Sequence, residues 1–359
     1  MKKPVTLLKH SKQKTKSKWT RPQLAVLGLT AAYTLTLLWL LEQIQSGPER
    51  NWVVLANLYL PQLLWAIPAV LLMLAGFYFR GGRPWIIGLP VLPLLLVLGP
   101  LMGLRGYPSP PQPQSNAQGM PLRIMTYNIA MGNNPSEILK SITLERPDVL
   151  LIQELGPTFE SLLRAGFSHW NIKSDGEFLI ATRLPLSSVE RVELPHLIDD
   201  PWKRPAYVRS VVQLGEAKIA VYNTHLSTPR PALESVRGRS SVGVAQLESN
   251  GNTRIYQANV LATALLEDRL PTVVGGDFNA PESSLACQQL RLAKLRDAFS
   301  EAGKGYGYTS GHALRFGVSF VRIDHIFVSP QWFVRACYPG EKIGSDHRPV
   351  IAELQLSPQ

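Results

Sequence analysis

Thr272-Val273-Val274-Gly275-Gly276-Asp277-Phe278-Asn279-Ala280 is a β-branched run that stops at two glycines, followed by an acid and an amide two residues apart. Glycines let the backbone approach a neighbour closely, and side chains at i and i+2 of an extended segment face the same way. The same arrangement recurs on both sides of this stretch. Asn128 closes Thr126-Tyr127-Asn128, Glu154 follows Val149–Gln153, and His225 opens His225-Leu226-Ser227 after another β-like run. Arg322-Ile323-Asp324-His325 and Ser345-Asp346-His347-Arg348-Pro349 complete the set. Carboxylates, amides and imidazoles at strand ends suit a hard divalent cation, which takes oxygen ligands, and an acid–imidazole pair moves protons near neutral pH.

Each motif alone has a plainer reading. Asn128 suits a turn, Asp324 a salt-bridged strand position, and Asp346-His347 a capped turn. His225 is equally at home in a structural role. Glu154, after four apolar residues, has to be solvated, paired or metal-bound. Arg209, on the strand before the His225 strand, either aims its fork of donors at a phosphate or closes a structural ion pair. Arg183 reads as structural.

Taken in order, Met125–Asn128, Gln153-Glu154, Thr224–Ser227, Gly276–Asn279, Arg322–Ile326 and Ser345–Val350 resemble the motifs of the endonuclease/exonuclease/phosphatase superfamily. The resemblance covers about Leu122–Leu356. It implies a four-layer α/β sandwich of two packed mixed sheets, and hydrolysis of a phosphate ester by in-line attack of water with Mg²⁺ or Mn²⁺. It further implies Glu154 as principal metal carboxylate, completed by Asn128 and Asp346, and Asp277 as the residue that orients or deprotonates the water. Asn279 and His225 then contact the scissile phosphate, and Asp324 orients and charges His347.

Strands are expected at Leu122–Tyr127, Val149–Gln153, Phe178–Ala181, Val208–Leu214, Lys218–Asn223, Thr272–Gly276, Ile323–Val328 and Val350–Leu356. Helices are expected at Ser136–Glu145 and Thr253–Arg269, with a mobile loop over the Gly-, Ser- and Asn-rich Arg237–Asn252.

Charge divides the chain in two. Residues 1–121 hold 12 of the 37 Lys/Arg but only Glu42 and Glu49 as acids, whereas residues 122–359 are close to neutral. The second part therefore has no broad basic face for long nucleic acid. Leu24–Leu41, Trp52–Phe79 and Trp85–Leu104 are uncharged and apolar, and about 20 such residues span a bilayer. The expectation is a basic cytoplasmic tail (1–23), three transmembrane helices (24–104), a Pro-rich linker (105–121) and a catalytic domain (122–359). Basic residues concentrated before Leu24 place the N-terminus in the cytoplasm, and three crossings would put the domain outside a bacterial inner membrane. There Cys287 and Cys337 are free to pair, although their spacing is not that of a metal site.

The function expected is a membrane-anchored phosphoesterase. Its substrate would be a phospholipid headgroup, nucleic acid or a small phosphorylated metabolite, and its partner the bilayer, with no protein partner implied. A nuclease acting on extracytoplasmic DNA or RNA is the alternative, and a catalytically idle scaffold the reading from another class. Trp202, Tyr207, Tyr306 and Tyr308 are isolated candidates for base stacking.

Overall fold

The structure is a computed structural model, and it describes residues 19–81, 83–106, 119–196, 205–238, 241–311 and 317–358. Residues 1–18 of the basic tail, most of the Pro-rich linker and Trp202 lie outside these residues.

Among the described residues, twelve strands form two six-stranded sheets. The first sheet contains β1 (Met120–Asn128), β2 (Val149–Gln153), β3 (Asn171–Asp175), β4 (Phe178–Thr182), β11 (Trp332–Pro339) and β12 (Val350–Leu356), in the order β11-β12-β1-β2-β4-β3. The second contains β5 (Glu190–Glu193), β6 (Ala206–Leu214), β7 (Ala217–His225), β8 (Thr272–Asp277), β9 (Arg296–Asp297) and β10 (Asp324–Val328), in the order β5-β6-β7-β8-β10-β9. Both are mixed: β1 and β2 run parallel, as do β7 and β8, and the other neighbours are antiparallel.

Alternation of side chains sets the layers. Ile124, Leu151, Val208, Val221, Val273 and Ile326 fill the space between the sheets. The outer face of the first sheet packs on helices Pro135–Glu145 and Phe159–Gly166. The outer face of the second packs on Ser241–Glu267 and Leu285–Leu292. Helix, sheet, sheet and helix make the sandwich that the resemblance implied. Cys287 and Cys337 are free and buried in different layers, Cys337 on β11 between the sheets and Cys287 under the outer face of the second sheet.

Two expectations change. The segment Arg237–Asn252 is not a loop from Ser241 onward, because Ser241–Glu267 is one helix. Tertiary packing overrides the weak propensity of its Ser, Gly and Asn residues: Leu247 is fully buried against the N-terminal helices, and Gly251 packs against Leu55 and Glu49. Of the three expected transmembrane helices, two remain as candidates. Among the described residues, only Arg21–Ser46 and Gln62–Phe79 are long and apolar enough to cross a membrane; Trp85–Leu101 is shorter, with Pro90, Pro93 and Pro100 along it. The run Trp52–Phe79 breaks after the short helix Trp52–Leu58 because Pro61 removes an N–H and disfavours helix in Leu60. Side chains seal the break: Trp65 Nε1 donates to Asn57 Oδ1 at 2.8 Å and Gln62 Nε2 to the Leu60 carbonyl at 3.2 Å.

These N-terminal helices lie against the sandwich. Leu40, Ile44, Leu55 and Leu58 share an apolar layer with Ala232, Leu247, Val321 and Ile323. Tyr306 and Tyr308 stack with ring centroids 5.3 Å apart, and their hydroxyls donate to the carbonyls of Leu98 and Met102. Arg105 pairs its backbone with Gly305 and its guanidinium with Glu282.

Candidate active site

Parallel strands end on the same edge, and here that edge collects the chemistry. Asn128 is the last residue of β1, Glu154 follows β2, and His225 and Asp277 end β7 and β8. Antiparallel β10 begins where β8 ends, so Asp324 sits directly beside Asp277 in register. His225 sits on the other side of Asp277. Gly276 is what lets these strands close up, since a Cβ there would fall 1.9 Å from the Thr224 carbonyl oxygen.

The side chains meet around Asp277 Oδ2. Asn128 Nδ2 donates to it at 3.0 Å and to Glu154 Oε1 at 3.3 Å. His225 Nε2 is 3.7 Å from the same oxygen and His347 Nε2 3.8 Å. Asp277 Oδ1 accepts the Asn279 N–H at 2.8 Å. His347 Nδ1 faces both oxygens of Asp324, at 2.9 and 3.1 Å. Glu154 and Asn279 hold φ of +52° and +48°, a left-handed conformation costly for residues other than glycine. Such strain survives only where surroundings enforce it. The Glu154 carbonyl accepts from Met131 N at 2.9 Å, and Asn279 Nδ2 donates to the Leu226 carbonyl at 3.0 Å.

Charge is concentrated in little solvent. Burial, then repulsion from Asp324, lifts Asp277 to about 6 against the pull of His347 and His225. Burial alone would depress both histidines, but neighbouring carboxylates outweigh it. Asp324 and then Asp277 raise His347 to about 10, and Glu177, joined by Asp277 and Glu154, raises His225 to about 10. The site near pH 7 therefore holds two imidazolium groups around a carboxylate basic enough to take a proton.

Asp277, Asp324 and His347 each offer a ligand atom within 4.8 Å of the others. Two of these three are already hydrogen-bonded to each other, which leaves the carboxylates of Glu154 and Asp277 as the better oxygen cradle for a hard cation; Asn128 turns its Nδ2 toward them, and its Oδ1 accepts the Ala130 N–H at 3.0 Å. Glu154 keeps 26% of its side-chain surface exposed beside the nearly sealed Asp277. Two such carboxylates suit a hard divalent cation.

The remaining residues fall in different places. Asp346 stands at the rim, where its charge helps raise His347 while its Oδ2 lies 3.4 Å from Arg230. Arg209 is not brought to the centre. It shares the outer face of the second sheet with Tyr222 and donates from Nε to Asp268 at 2.8 Å, whereas His225 points the opposite way by strand alternation. Arg183 pairs with Asp148.

Sequence reasoning missed Glu177 and Arg230. Glu177 sits in the two-residue turn between β3 and β4 and accepts from His225 Nδ1 at 3.0 Å. The glycine at 176 signals that turn, but nothing in the sequence signals its reach across the sheets. Gln153, quoted only beside Glu154, bridges the sheets by donating to Thr126 Oγ1 and Asn223 Oδ1.

A family model described as the endonuclease/exonuclease/phosphatase family matches residues 125–347. The chain belongs to this family. Its fold is thus that of the family's phosphate-ester hydrolases, and the six motifs occupy one end of it. No curated protein matches the chain. Among solved structures, an endonuclease/exonuclease/phosphatase family protein from Bacteroides thetaiotaomicron aligns at 18% identity over 67% of this chain and 100% of that one, with a TM-score of 0.52. A humanized D. rerio TDP2 aligns at 19% identity over 65% and 98%, with a TM-score of 0.52. A mannosyl-6-phosphatase from Bacteroides thetaiotaomicron aligns at 17% identity over 65% and 99%, with a TM-score of 0.51. At such identities the likeness is one of fold.

Proposed function

We propose that the protein is a membrane-anchored, divalent-metal-dependent phosphoesterase that acts on a phosphate ester at the bilayer surface. The observation that carries this reading is the convergence of Asn128, Glu154, His225, Asp277 and His347 at one sheet edge.

Glu154, with Asp346 through water and with Asn128 once its amide turns Oδ1 inward, would hold Mg²⁺ or Mn²⁺. The cation supplies Lewis-acid stabilisation of charge on the phosphate oxygens. Asp277, raised to about 6, orients water for in-line attack and accepts its proton. His347 and His225, kept protonated by Asp324 and Glu177, supply positive charge where negative charge grows. Asn279 is the amide contact to the phosphate.

Membrane anchoring is supported by how the apolar helices are packed. Only 28% and 22% of the most apolar windows of Arg21–Ser46 and Gln62–Phe79 are buried, so Leu29, Leu35, Trp39, Leu71, Leu74 and Phe77 face outwards. A soluble protein's core helix would bury such residues, and lipid is the solvent that suits them. Two crossings return the chain to the side of its N-terminus; the shorter Trp85–Leu101 decides the side by crossing or not. A lipid phosphate headgroup is the favoured substrate, because these helices fix the site beside the bilayer at high effective concentration. The near-neutral domain disfavours a nuclease.

The test uses the full-length chain in phospholipid nanodiscs with Mg²⁺ or Mn²⁺. Turnover of bis-p-nitrophenyl phosphate and of nanodisc lipid phosphate, abolished by EDTA and restored by added metal, is expected. Turnover that survives EDTA would remove the metal from the reading, and none on these substrates or on DNA would favour a scaffold.

A further inference from the structure

The N-terminal region also touches residues next to the catalytic centre. The apolar layer it shares with the sandwich includes Ile323, the residue before Asp324. Within that layer polar groups of the head reach the segment that follows β8. Tyr59, 4% exposed, donates its hydroxyl to the Asn279 carbonyl at 2.9 Å. Both oxygens of Glu49 accept the Leu285 N–H at 3.1 Å, at the start of the helix Leu285–Leu292. On the far side of Tyr59, the Arg254 guanidinium lies 5.7 Å from its ring centroid and donates to the Ser227 carbonyl at 3.2 Å, two residues after His225.

Asn279 shows why this matters. Its left-handed backbone, at φ +48°, is fixed through three groups. Asp277 takes its N–H, Leu226 accepts from its side-chain amide, and its carbonyl has the Tyr59 hydroxyl. Two of these partners belong to the sandwich, and the third comes from the break between the N-terminal helices. A buried carbonyl stripped of its donor is expensive, and a strained turn relaxes when one of its ties is cut.

We infer that Tyr59 is a positioning residue of the active site: its hydroxyl holds the Asp277–Asn279 turn in its working conformation, so the N-terminal region is part of the catalytic machinery. The inference takes that turn as belonging to the catalytic centre proposed above, and its test includes an arm that needs no turnover. Glu49 ties the head to the same segment further along, at the Leu285 N–H.

The experiment compares full-length wild type, Tyr59→Phe and Tyr306→Phe in nanodiscs. Tyr306 also ties head to sandwich, but its hydroxyl donates to the Leu98 carbonyl rather than to the Asp277–Asn279 turn. Two readouts are taken: kcat and KM on bis-p-nitrophenyl phosphate with Mg²⁺, and backbone hydrogen exchange over residues 277–285. Tyr59→Phe is expected to lower kcat about tenfold with KM within about twofold, and to speed exchange over 277–280. Tyr306→Phe is expected to leave both near wild type. Wild-type kcat and exchange in Tyr59→Phe overturn the inference. So do equal losses in both variants, which would make Tyr59 a docking contact only. Should wild type itself show no turnover, the phosphoesterase reading fails, and the exchange comparison alone decides whether Tyr59 holds the turn.

Discussion

His347 Nδ1 lies 2.9 Å from Asp324 Oδ2, and His325 Nδ1 lies 2.9 Å from Asp297 Oδ2. Asp324 and His325 are neighbours on β10, so the two pairs leave opposite faces of one strand. In the first, the distal ring nitrogen looks into the catalytic opening at Asp277, 3.8 Å away. In the second, the distal nitrogen is spent on the Ala280 carbonyl at 2.9 Å, and the ring packs against Phe278 and Phe327. Arg322 closes that second group by donating to both Asp297 oxygens at 2.8 and 3.1 Å, and it also pairs with Glu282. One pair has an unspent nitrogen facing a place where a reacting anion fits. The other is a sealed polar core under the first. An acid–imidazole pair becomes catalytic through what its far nitrogen can reach.

The largest effect expected from this contrast is on turnover. His347→Ala, like Glu154→Ala, should lower kcat by on the order of 10²–10³ or more while thermal unfolding moves little. Full-length variants assayed with Mg²⁺ in nanodiscs, with melting followed in parallel, check it. Wild-type turnover in either would dissolve the site assignment.

Breaking the other pair should do the reverse. Asp297→Ala leaves Arg322, 7% exposed, without its main partner and removes the acceptor at the start of Ala298–Ala302. A cost of about 3–5 kcal/mol in stability is expected, with kcat per folded molecule close to wild type. Denaturation of the detergent-solubilised variant measures the first quantity, and active-fraction-corrected kinetics the second. A drop in kcat without a loss of stability would mean that the sealed pair takes part in the chemistry.

A smaller change is expected at Glu177, which gives His225 the role Asp324 gives His347. The raised pKa of His225 means that its pairing with Glu177 is fully present below the ordinary histidine range and is lost as pH rises through about 10. Glu177→Gln should bring His225 back toward that range. The alkaline fall in kcat should then begin at lower pH, costing about tenfold near pH 9 and much less near pH 6. An unchanged pH profile would take His225 out of the charged state assigned to it.

Much of this centre is legible in the chain because strand-end chemistry is local. Val149–Gln153 and Val350–Leu356 are strands with the expected limits, and the glycines before Asp277 announce the close approach they permit. The missing strands, Asn171–Asp175, Glu190–Glu193, Arg296–Asp297 and Trp332–Pro339, are the four edge strands of the two sheets; the first three are mostly polar, and Arg335 interrupts the fourth. They lack the continuous apolar run that betrays a central strand. What a linear reading lacks is partnership across the fold. Glu177 reaches His225 from the other sheet, and Tyr59 reaches Asn279 from a segment whose composition reads only as membrane. Leu247 buries itself against helices nearly two hundred residues earlier, which turns a loop-like sequence into helix.

Arg209 sharpens the comparison from outside both pairs. A guanidinium on the strand next to a catalytic histidine invites a phosphate-binding role, yet strand alternation turns it to the back of the sheet, where Asp268 and Tyr222 take it up. Asp268 is held below its ordinary value of 3.8: burial works against this, but hydrogen bonds from Arg209, Leu270 and Tyr222 prevail. The pair's contribution is thus present above that ordinary value and fades as pH falls below it. Solvent reaches the Arg209 end, and Asp268 keeps its Tyr222 and Leu270 donors, so Arg209→Ala should cost about 1 kcal/mol at neutral pH and nothing measurable in strong acid. Its kcat and KM should match wild type. A rise in KM alone would instead bring substrate to the outer face of the second sheet, far from the unspent nitrogen of His347.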